Sequence, residues 1–375
     1  MPSYLKNLAV GALLAAVSLG LPAVANAAPA GPVDLGTLPG DQFSDVAAIN
    51  TAGVMVGVSM PRDGRLIYHP VKWDEQGRIT ALPTLGGEQG EPRAVNDAGV
   101  AVGWAWDGVD GVRAVRWAPD GSITALPSPG DAGAADISET GVIIGGGSDG
   151  HGGQVSLRWD RNGRSVALAP LPGGGETDAT GITADGSLIS GIAYDAADHP
   201  HAVRWNAAGV VTDLSPGYAE ASVSAISDAG VITGTVTETG QARPVVWGRD
   251  GRMTPLGWPA PPSYAQPRAI NSAGVVVGAG DVEFAQDRAV RWVHGTATVL
   301  EADRRSQAVA VNAAGTAVGY VDSVAARWGA DGTETSLGIL PGGDASRATG
   351  IGRNGTIIGM SDTADAWHAV YWPAS

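Results

Sequence analysis

The chain has 375 residues and a formal net charge of −15, and an acidic chain repels phosphate backbones, so no nucleic-acid partner is expected. It contains no cysteine, which excludes disulfides, thiolate metal sites and a cysteine nucleophile. Apolar residues make up 44% of the sequence and glycine contributes 56 residues, a composition typical of a packed fold with many tight turns.

The first 27 residues have the pattern of a signal peptide. Lys6 gives a positive start, residues 8–21 are apolar and uncharged, and Pro22 interrupts the run. Residues 25–27, Ala-Asn-Ala, form a small-x-small cleavage site, so we expect cleavage after Ala27. The apolar run is shorter than the roughly 20 residues that span a bilayer. We therefore expect a secreted protein, extracellular or periplasmic, with no membrane span in the mature chain.

One repeated unit occupies the remaining residues, 28–375. Its marker is a tryptophan that closes a short apolar segment, and the markers recur at intervals of 36 to 46 residues: Trp73, Trp117, Trp159, Trp205, Trp247, Trp292, Trp328 and Trp372. Four short segments rich in Val and Ile fill each unit, the pattern of a propeller blade. We predict an all-β fold, a single eight-bladed β-propeller of four-stranded antiparallel blades. The repeats lie at about 35–82, 83–126, 127–168, 169–214, 215–256, 257–300, 301–337 and 338–375.

In the first unit the predicted strands A to D are residues 45–50, 54–58, 70–73 and 79–82. An Asn-x-x-Gly turn, here ending in Gly53, joins A to B in several units, and another glycine ends the turn from C to D. Glycine supplies the positive φ that such tight reversals need. The units are therefore predicted to consist of antiparallel hairpins.

The two ends of the chain predict a closed ring. The last unit stops just after Trp372 and lacks a strand D, whereas residues 32–38 precede the first unit and resemble a strand D with its following loop. We predict that this N-terminal strand is the outer strand of the last blade, which also removes an exposed sheet edge.

The unit resembles the HAF repeat of bacterial extracellular proteins. The resemblance rests on Leu-Gly-Gly at 85–87, on the Ile-Asn-x-x-Gly turn with its following Val-x-Val-Gly, and on His-Ala-x-x-Trp at 201–205 and 368–372. It covers nearly all of the mature chain, although the Phe that names the repeat is Val, Leu or Ala here. The resemblance implies export and a propeller-like fold, and it implies no activity.

The D–A and B–C loops vary in length and content, so the face they share is the expected binding surface. Aromatic residues on this face are the candidates for stacking on a sugar or binding a peptide: Trp104, Trp106, Tyr194, Trp258, Tyr264 and Trp367. Trp104 and Trp106 alternate on one strand end, so their rings should point the same way, and Asp107 and Asp110 in the next loop could bond hydroxyl groups. The alternative is that these rings pack between blades.

Acidic residues follow the glycines of most D–A loops, and one interpretation is a ring of Ca²⁺ ligands at the channel mouth: Asp41, Glu88, Asp131, Glu176 and Asp344. The favoured alternative is a pair, repeated in each blade, with the basic residue four positions before the marker: His69, Arg113, His201, Arg243, Arg288 and His368. A second basic column directly precedes the marker and predicts blade-to-blade contacts: Lys72, Arg116, Arg158, Arg204, Arg291 and Arg327.

The sequence carries no His-Glu-x-x-His or EF-hand motif. The leading hypothesis is a secreted, monomeric, non-enzymatic binding module without a cofactor, whose partner is a carbohydrate, a cell-envelope ligand or an extracellular protein. One alternative is an extracellular glycoside hydrolase or polysaccharide lyase that uses carboxylates near the channel. Another is a structural surface protein.

Overall fold

The computed structural model describes residues 31–62, 67–109, 111–151, 153–258, 264–281 and 287–374. These residues form eight four-stranded antiparallel sheets, numbered here as blades 1 to 8. The innermost strands, called A, contact the A strands of both neighbouring blades all the way round, including blade 8 with blade 1. The protein is therefore an eight-bladed β-propeller, as predicted. The predicted signal peptide, residues 1–27, lies outside the described residues.

The strands keep one order, A-B-C-D from the channel outwards. Strands A are β2 (Phe43–Ile49), β6 (Gly90–Val95), β10 (Ala132–Ile137), β14 (Thr177–Ile182), β18 (Ala221–Ile226), β22 (Ala265–Ile270), β26 (Ser306–Val311) and β30 (Ser346–Ile351). Strands B are β3 (Met55–Met60), β7 (Ala101–Trp106), β11 (Ile143–Ser148), β15 (Leu188–Tyr194), β19 (Ile232–Glu238), β23 (Val276–Asp281), β27 (Ala317–Val321) and β31 (Ile357–Asp362). Strands C are β4 (His69–Trp73), β8 (Val112–Trp117), β12 (Gln154–Trp159), β16 (Pro200–Asn206), β20 (Gln241–Trp247), β24 (Asp287–Val293), β28 (Val324–Trp328) and β32 (Trp367–Trp372). Strands D are β5 (Ile79–Ala81), β9 (Ile123–Ala125), β13 (Ser165–Ala167), β17 (Val211–Asp213), β21 (Met253–Pro255), β25 (Thr296–Val299), β29 (Glu334–Ser336) and β1 (Val33–Asp34).

The N-terminal strand β1 completes blade 8. It pairs antiparallel with β32, with Asp34 opposite Val370. The amide of Leu35 then donates to the carbonyl of Ala369 at 3.0 Å, and the leucine after each of the other D strands makes the equivalent bond. The predicted closure is confirmed, because the outer strand of the last blade comes from the opposite end of the chain.

The eight marker tryptophans form the core between blades, as expected, since each is at most 1% exposed. In six of them the indole N–H also crosses to the preceding blade, where it donates to a carbonyl just after strand D at 2.7 to 2.8 Å. Trp247 and Trp328 have this nitrogen buried without a partner. Apolar contact and a buried hydrogen bond therefore hold most neighbouring blades together.

Every A strand contains a β-bulge. In blade 1 the register with strand B shifts between Val46 and Ala48, and the other seven blades shift at the equivalent place. A bulge leaves one residue unpaired and bends the strand. Strand A of blade 1 starts at Phe43, two residues before the predicted start.

The basic column before the marker tryptophans joins neighbouring blades, as predicted. Lys72 donates to the carbonyl of Pro119 in the next blade at 3.0 Å. Arg291 is 6% exposed and bonds three carbonyls of blade 7, with Ala330 at 2.8 Å and Gly329 at 2.7 Å among them. These side chains are therefore structural. No described segment forms a helix that is long and apolar enough to cross a bilayer.

Candidate functional site on the B–C and D–A face

The aromatic residues predicted for binding share one face of the disc but belong to different blades. They divide among blade 2, blade 4, the junction of blades 5 and 6, and blade 8: Trp104, Trp106, Tyr194, Trp258, Tyr264 and Trp367. The structure therefore does not gather them into one site. Trp104 and Trp258 each line a separate concavity that also contains polar side chains.

The first concavity lies between blades 2 and 3 and is called the interblade groove. Its volume is about 310 Å³, and its lining consists of Glu91, Arg93, Trp104, Val112 and Gly133. The half-buried Trp104 donates its indole N–H to Oε2 of Glu91 at 2.8 Å. Arg93 approaches the same carboxylate at 3.4 Å. An aromatic ring, an anion and a cation thus meet at one groove. Sequence reasoning missed Glu91, although it lies directly opposite Trp104 on strand A.

Trp106 lies two residues further along the same strand, outside the described lining of this groove. Its main chain pairs with the D–A loop, since its amide donates to the carbonyl of Gln89 at 2.9 Å. Asp107 forms an ion pair with Arg113 at 2.8 Å and accepts the amide of Val109 at 2.9 Å. The carboxylate expected to bond ligand hydroxyls is thus engaged within its own loop. Asp110 lies outside the described residues.

The second concavity lies over strands C and D of blade 5 and is called the blade 5 cleft. Its volume is about 600 Å³. Tyr218 and Trp258 come from the two D–A loops that flank the blade, and Met253 comes from strand D. Glu238 and Arg243, from the ends of strands B and C, add opposite charges whose side chains are more than half exposed and lie 3.9 Å apart. The cleft is therefore lined by two aromatic side chains and by polar groups of both charges.

Packing fixes the ring of Trp258. It lies on Gly280, where a Cβ atom would overlap the ring, and its centroid is 5.8 Å from that of the core residue Trp292. Its indole nitrogen is buried without a partner. These contacts hold the Trp258 ring in one position at the edge of the cleft.

The other three aromatic candidates are separate from both concavities. Tyr194 ends strand B of blade 4 and is half-buried, with its amide bonded to the carbonyl of Glu176 at 3.1 Å. Tyr264 is 42% exposed, and its hydroxyl donates to Gln266 at 2.5 Å. Trp367 begins strand C of blade 8 and is half-buried. Ligand binding by Tyr194, Tyr264 and Trp367 therefore stays a prediction.

The acidic residues of the D–A loops follow no uniform rule. The predicted pair exists in blade 1, where Asp41 and Nδ1 of His69 are 2.7 Å apart. In blade 8 the expectation is wrong, because His368 pairs instead with Asp34 at 2.9 Å. Arg113, His201 and Arg243 likewise have ion-pair partners from other positions. Within the described loops, the pair of blade 1 is therefore not repeated in blade 8, where a different carboxylate lies nearer to the histidine.

The proposed Ca²⁺ ligands differ in exposure and contacts. The side chain of Asp41 is 4% exposed and pairs with His69 on strand C, so it lies away from the channel mouth. Asp131 accepts the amide of Val112 at 3.0 Å. Glu88, Glu176 and Asp344 are exposed. Within the described ranges, no three His, Asp or Glu side chains are grouped so that they could hold a metal ion.

Arg353 links A–B turns of several blades on the opposite face. It comes from the A–B turn of blade 8, and its Nη2 lies 2.8 Å from Asp228 of blade 5. Its Nη1 lies 3.9 Å from both Asp97 of blade 2 and Glu139 of blade 3. The amide of Asp97 in turn donates to Glu139 at 2.8 Å. The guanidinium of this A–B turn thus lies within 3.9 Å of carboxylates on the A–B turns of three other blades.

Comparison with known proteins supports the propeller fold. No protein-family model and no curated protein matches the chain. A solved prolyl endopeptidase structure aligns with a TM-score of 0.53 at 10% identity, covering 78% of this chain and 49% of the endopeptidase. An oligogalacturonate lyase in complex with manganese aligns with a TM-score of 0.50 at 14% identity, covering 74% of this chain and 87% of the lyase. The chain therefore spans about half of the endopeptidase, and identities this low show similarity of fold alone.

Proposed function

We propose that the protein is an exported, non-enzymatic binding protein that binds carbohydrate in the blade 5 cleft. The observation that supports this proposal is that the aromatic side chains of Tyr218 and Trp258 line one cleft with the polar side chains of Glu238, Gln241 and Arg243. Sugar rings present apolar C–H faces that suit flat aromatic rings, and hydroxyls that bond carboxylate, amide and guanidinium groups. A volume of about 600 Å³ is within the usual range of small-ligand sites.

Export to the periplasm or the extracellular space is part of the same proposal. Its support is the signal-peptide pattern of residues 1–27. The resemblance of residues 201–205 and 368–372 to the HAF repeat also supports an extracellular role. Fractionation of cells that express the full chain, followed by N-terminal sequencing of the exported protein, tests cleavage after Ala27.

A glycan array probed with the mature protein tests the binding proposal, and isothermal titration then measures the affinity for the best glycan. We expect Tyr218→Ala and Arg243→Ala to lower that affinity at least tenfold, because the first removes an aromatic surface and the second removes a charged hydrogen-bond donor. Val109→Ala is the control, since this residue is 83% exposed on a B–C loop of the same face and lies outside the cleft. Wild-type affinity in both cleft variants would contradict the proposed site. Release of new reducing ends or unsaturated sugars from the bound glycan would instead assign the protein to the hydrolases or lyases.

A further inference from the structure

The interblade groove has a counterpart between blades 7 and 8. Trp104 lies opposite Glu91 on its own blade and beside Gly133 of the next blade. Tyr320 occupies the same register position in blade 7, opposite Gln307. The two junctions can therefore be compared position by position.

In the junction of blades 7 and 8 the chain covers the aromatic ring with its own cation. The guanidinium carbon of Arg347 lies 5.2 Å from the centroid of the Tyr320 ring. A cation within about 6 Å of a ring centroid is attracted by the negative face of the ring. Arg347 occupies the register position that Gly133 has in blade 3, in each case just before the last residue ahead of the bulge.

In the junction of blades 2 and 3 this place has no side chain of its own. Gly133 has no positive φ, and a Cβ atom built on it would lie 3.6 Å from Cβ of Trp104 and 3.8 Å from Nη1 of Arg93, which are ordinary contact distances. Neither the backbone nor crowding therefore requires glycine there. The groove of about 310 Å³ lies where a larger side chain could fit beside Trp104.

The charges around this groove favour a cation. Glu91 bonds Trp104 where blade 7 has the neutral Gln307. Asp131 bonds the amide of Val112 at the edge of the groove. The positive group is Arg93, which lies 3.4 Å from Glu91 with a side chain that is 43% exposed. Exposed pairs of this kind are weak, so Arg93 can be displaced from the carboxylate by a ligand.

We propose that the interblade groove binds an alkylguanidinium or alkylammonium group, which lies on Trp104 as Arg347 lies on Tyr320 and pairs with Glu91. Such a group is the end of an arginine or lysine side chain in a polypeptide, or a free organic amine. Indole gives the strongest cation–π attraction among the aromatic side chains. The groove shares no lining residue with the blade 5 cleft, so this site is independent of carbohydrate binding.

The test uses the mature protein, labelled with ¹⁵N, at low salt. N-propylguanidinium is titrated while the indole N–H signal of Trp104, assigned with Trp104→Phe, is followed by NMR. We expect a saturable shift with N-propylguanidinium and none with N-propylurea, its uncharged isostere. Acetyl-Gly-Arg-Gly-amide and its citrulline analogue repeat the comparison for a polypeptide source, and stronger binding of this peptide than of N-propylguanidinium assigns that source.

Variants separate this proposal from simple packing. Gly133→Arg places a guanidinium where blade 8 has one, so binding should be lost while the melting temperature stays equal or rises. Glu91→Gln copies the blade 7 junction and should weaken binding about tenfold. Arg93→Ala should preserve or strengthen binding, because it removes the competing cation. Equal binding of N-propylurea, wild-type affinity in Glu91→Gln, or loss of binding in Arg93→Ala would each overturn the proposal, the last because Arg93 would then support binding instead of competing with the ligand.

Discussion

Trp73 in blade 1 donates its indole N–H to the carbonyl of Leu35, the residue that follows the N-terminal strand, at 2.8 Å. Leu35 is itself 3% exposed and packs with Trp73 in the core between blades 8 and 1. The strand that completes blade 8 is therefore held on two sides, by β32 through its backbone and by blade 1 through a tryptophan. Closure of the ring depends on both contacts.

Removing residues 31–38 should accordingly destabilise the whole ring. The deletion exposes the edge of β32 and removes the hydrogen-bond acceptor of a buried indole, so we expect a large fall in melting temperature or aggregation. The single change Leu35→Ala should lower the free energy of unfolding by about 2–5 kcal/mol. Val109→Ala is the control, since Val109 is 83% exposed, and it should change stability by less than about 0.5 kcal/mol. A deletion variant that melts within a degree or two of the parent would contradict closure by β1.

The marker tryptophans provide a prediction about buried hydrogen bonds. Trp205 donates to the carbonyl of Ala169 at 2.7 Å, whereas the indole nitrogen of Trp247 has no partner. Trp205→Ala should cost about 3–5 kcal/mol, as other large-to-small core changes do. Trp205→Phe should cost about 1 kcal/mol more than Trp247→Phe, because it removes a hydrogen bond to the partly buried carbonyl of Ala169. Urea denaturation measures both differences, and equal losses in the two Phe variants would show that the bond adds nothing.

Arg291 and Arg116 occupy the same column but should differ in their effect on stability. Arg291 is buried and bonds three carbonyls of blade 7, while Arg116 makes one exposed bond of 3.4 Å. Arg291→Met should lower the free energy of unfolding by about 1–3 kcal/mol, since it leaves one buried carbonyl unpaired and removes bonds to two partly buried ones. Arg116→Met should stay within about 0.5 kcal/mol of wild type. Similar losses from the two substitutions in urea denaturation would refute the assigned structural role of Arg291.

Local patterns made the architecture predictable from the sequence. A marker such as Trp73 recurs with the period of the blade, and turn glycines such as Gly53 have the positive φ that their spacing predicts. Each of these two signals depends on a few residues that are close together in the sequence. The orphan strand at 32–38 was also recognisable, because it repeats the sequence of an internal strand D.

The candidate sites were less predictable because they depend on pairing across strands and blades. Alternation along β7 treats Trp104 and Trp106 alike, but register places Glu91 opposite Trp104 alone. The bulge in strand A shifts that register by one residue, and no local composition marks it. Arg353 contacts Asp228, which lies 125 residues earlier in the chain. Contacts of this kind follow from the closed ring and have no sequence motif.

Asp136 predicts how stability depends on pH. It lies next to the bulge of strand A in blade 3 and accepts the amides of Ile137 at 2.8 Å and Ile182 at 3.3 Å. Burial raises the pKa of Asp136 to about 6 from its usual 3.8; the two amide bonds oppose this rise, and the charges of Asp228 and Glu139 add to it. A raised carboxyl pKa means that the folded state keeps a proton which the unfolded state has lost. Stability from this group therefore falls as the pH rises from about 4 to about 6 and then stays constant.

Asp136→Asn removes this titration, so the stability of the variant relative to wild type should increase by about 2 kcal/mol between pH 4 and pH 7. Asp185 provides the control, because its pKa is shifted in the opposite direction. A hydrogen bond from the side chain of Thr183 lowers the pKa of Asp185 to about 2, so its contribution is present above its usual pKa and is lost in acid. Asp185→Asn should therefore be less stable than wild type at pH 7, by a margin that shrinks towards pH 2. Urea denaturation of the three proteins at pH 3, 4, 5.5 and 7 measures these differences. A stability difference between Asp136→Asn and wild type that does not change from pH 4 to pH 7 would show that Asp136 titrates in the folded protein as it does in the unfolded chain.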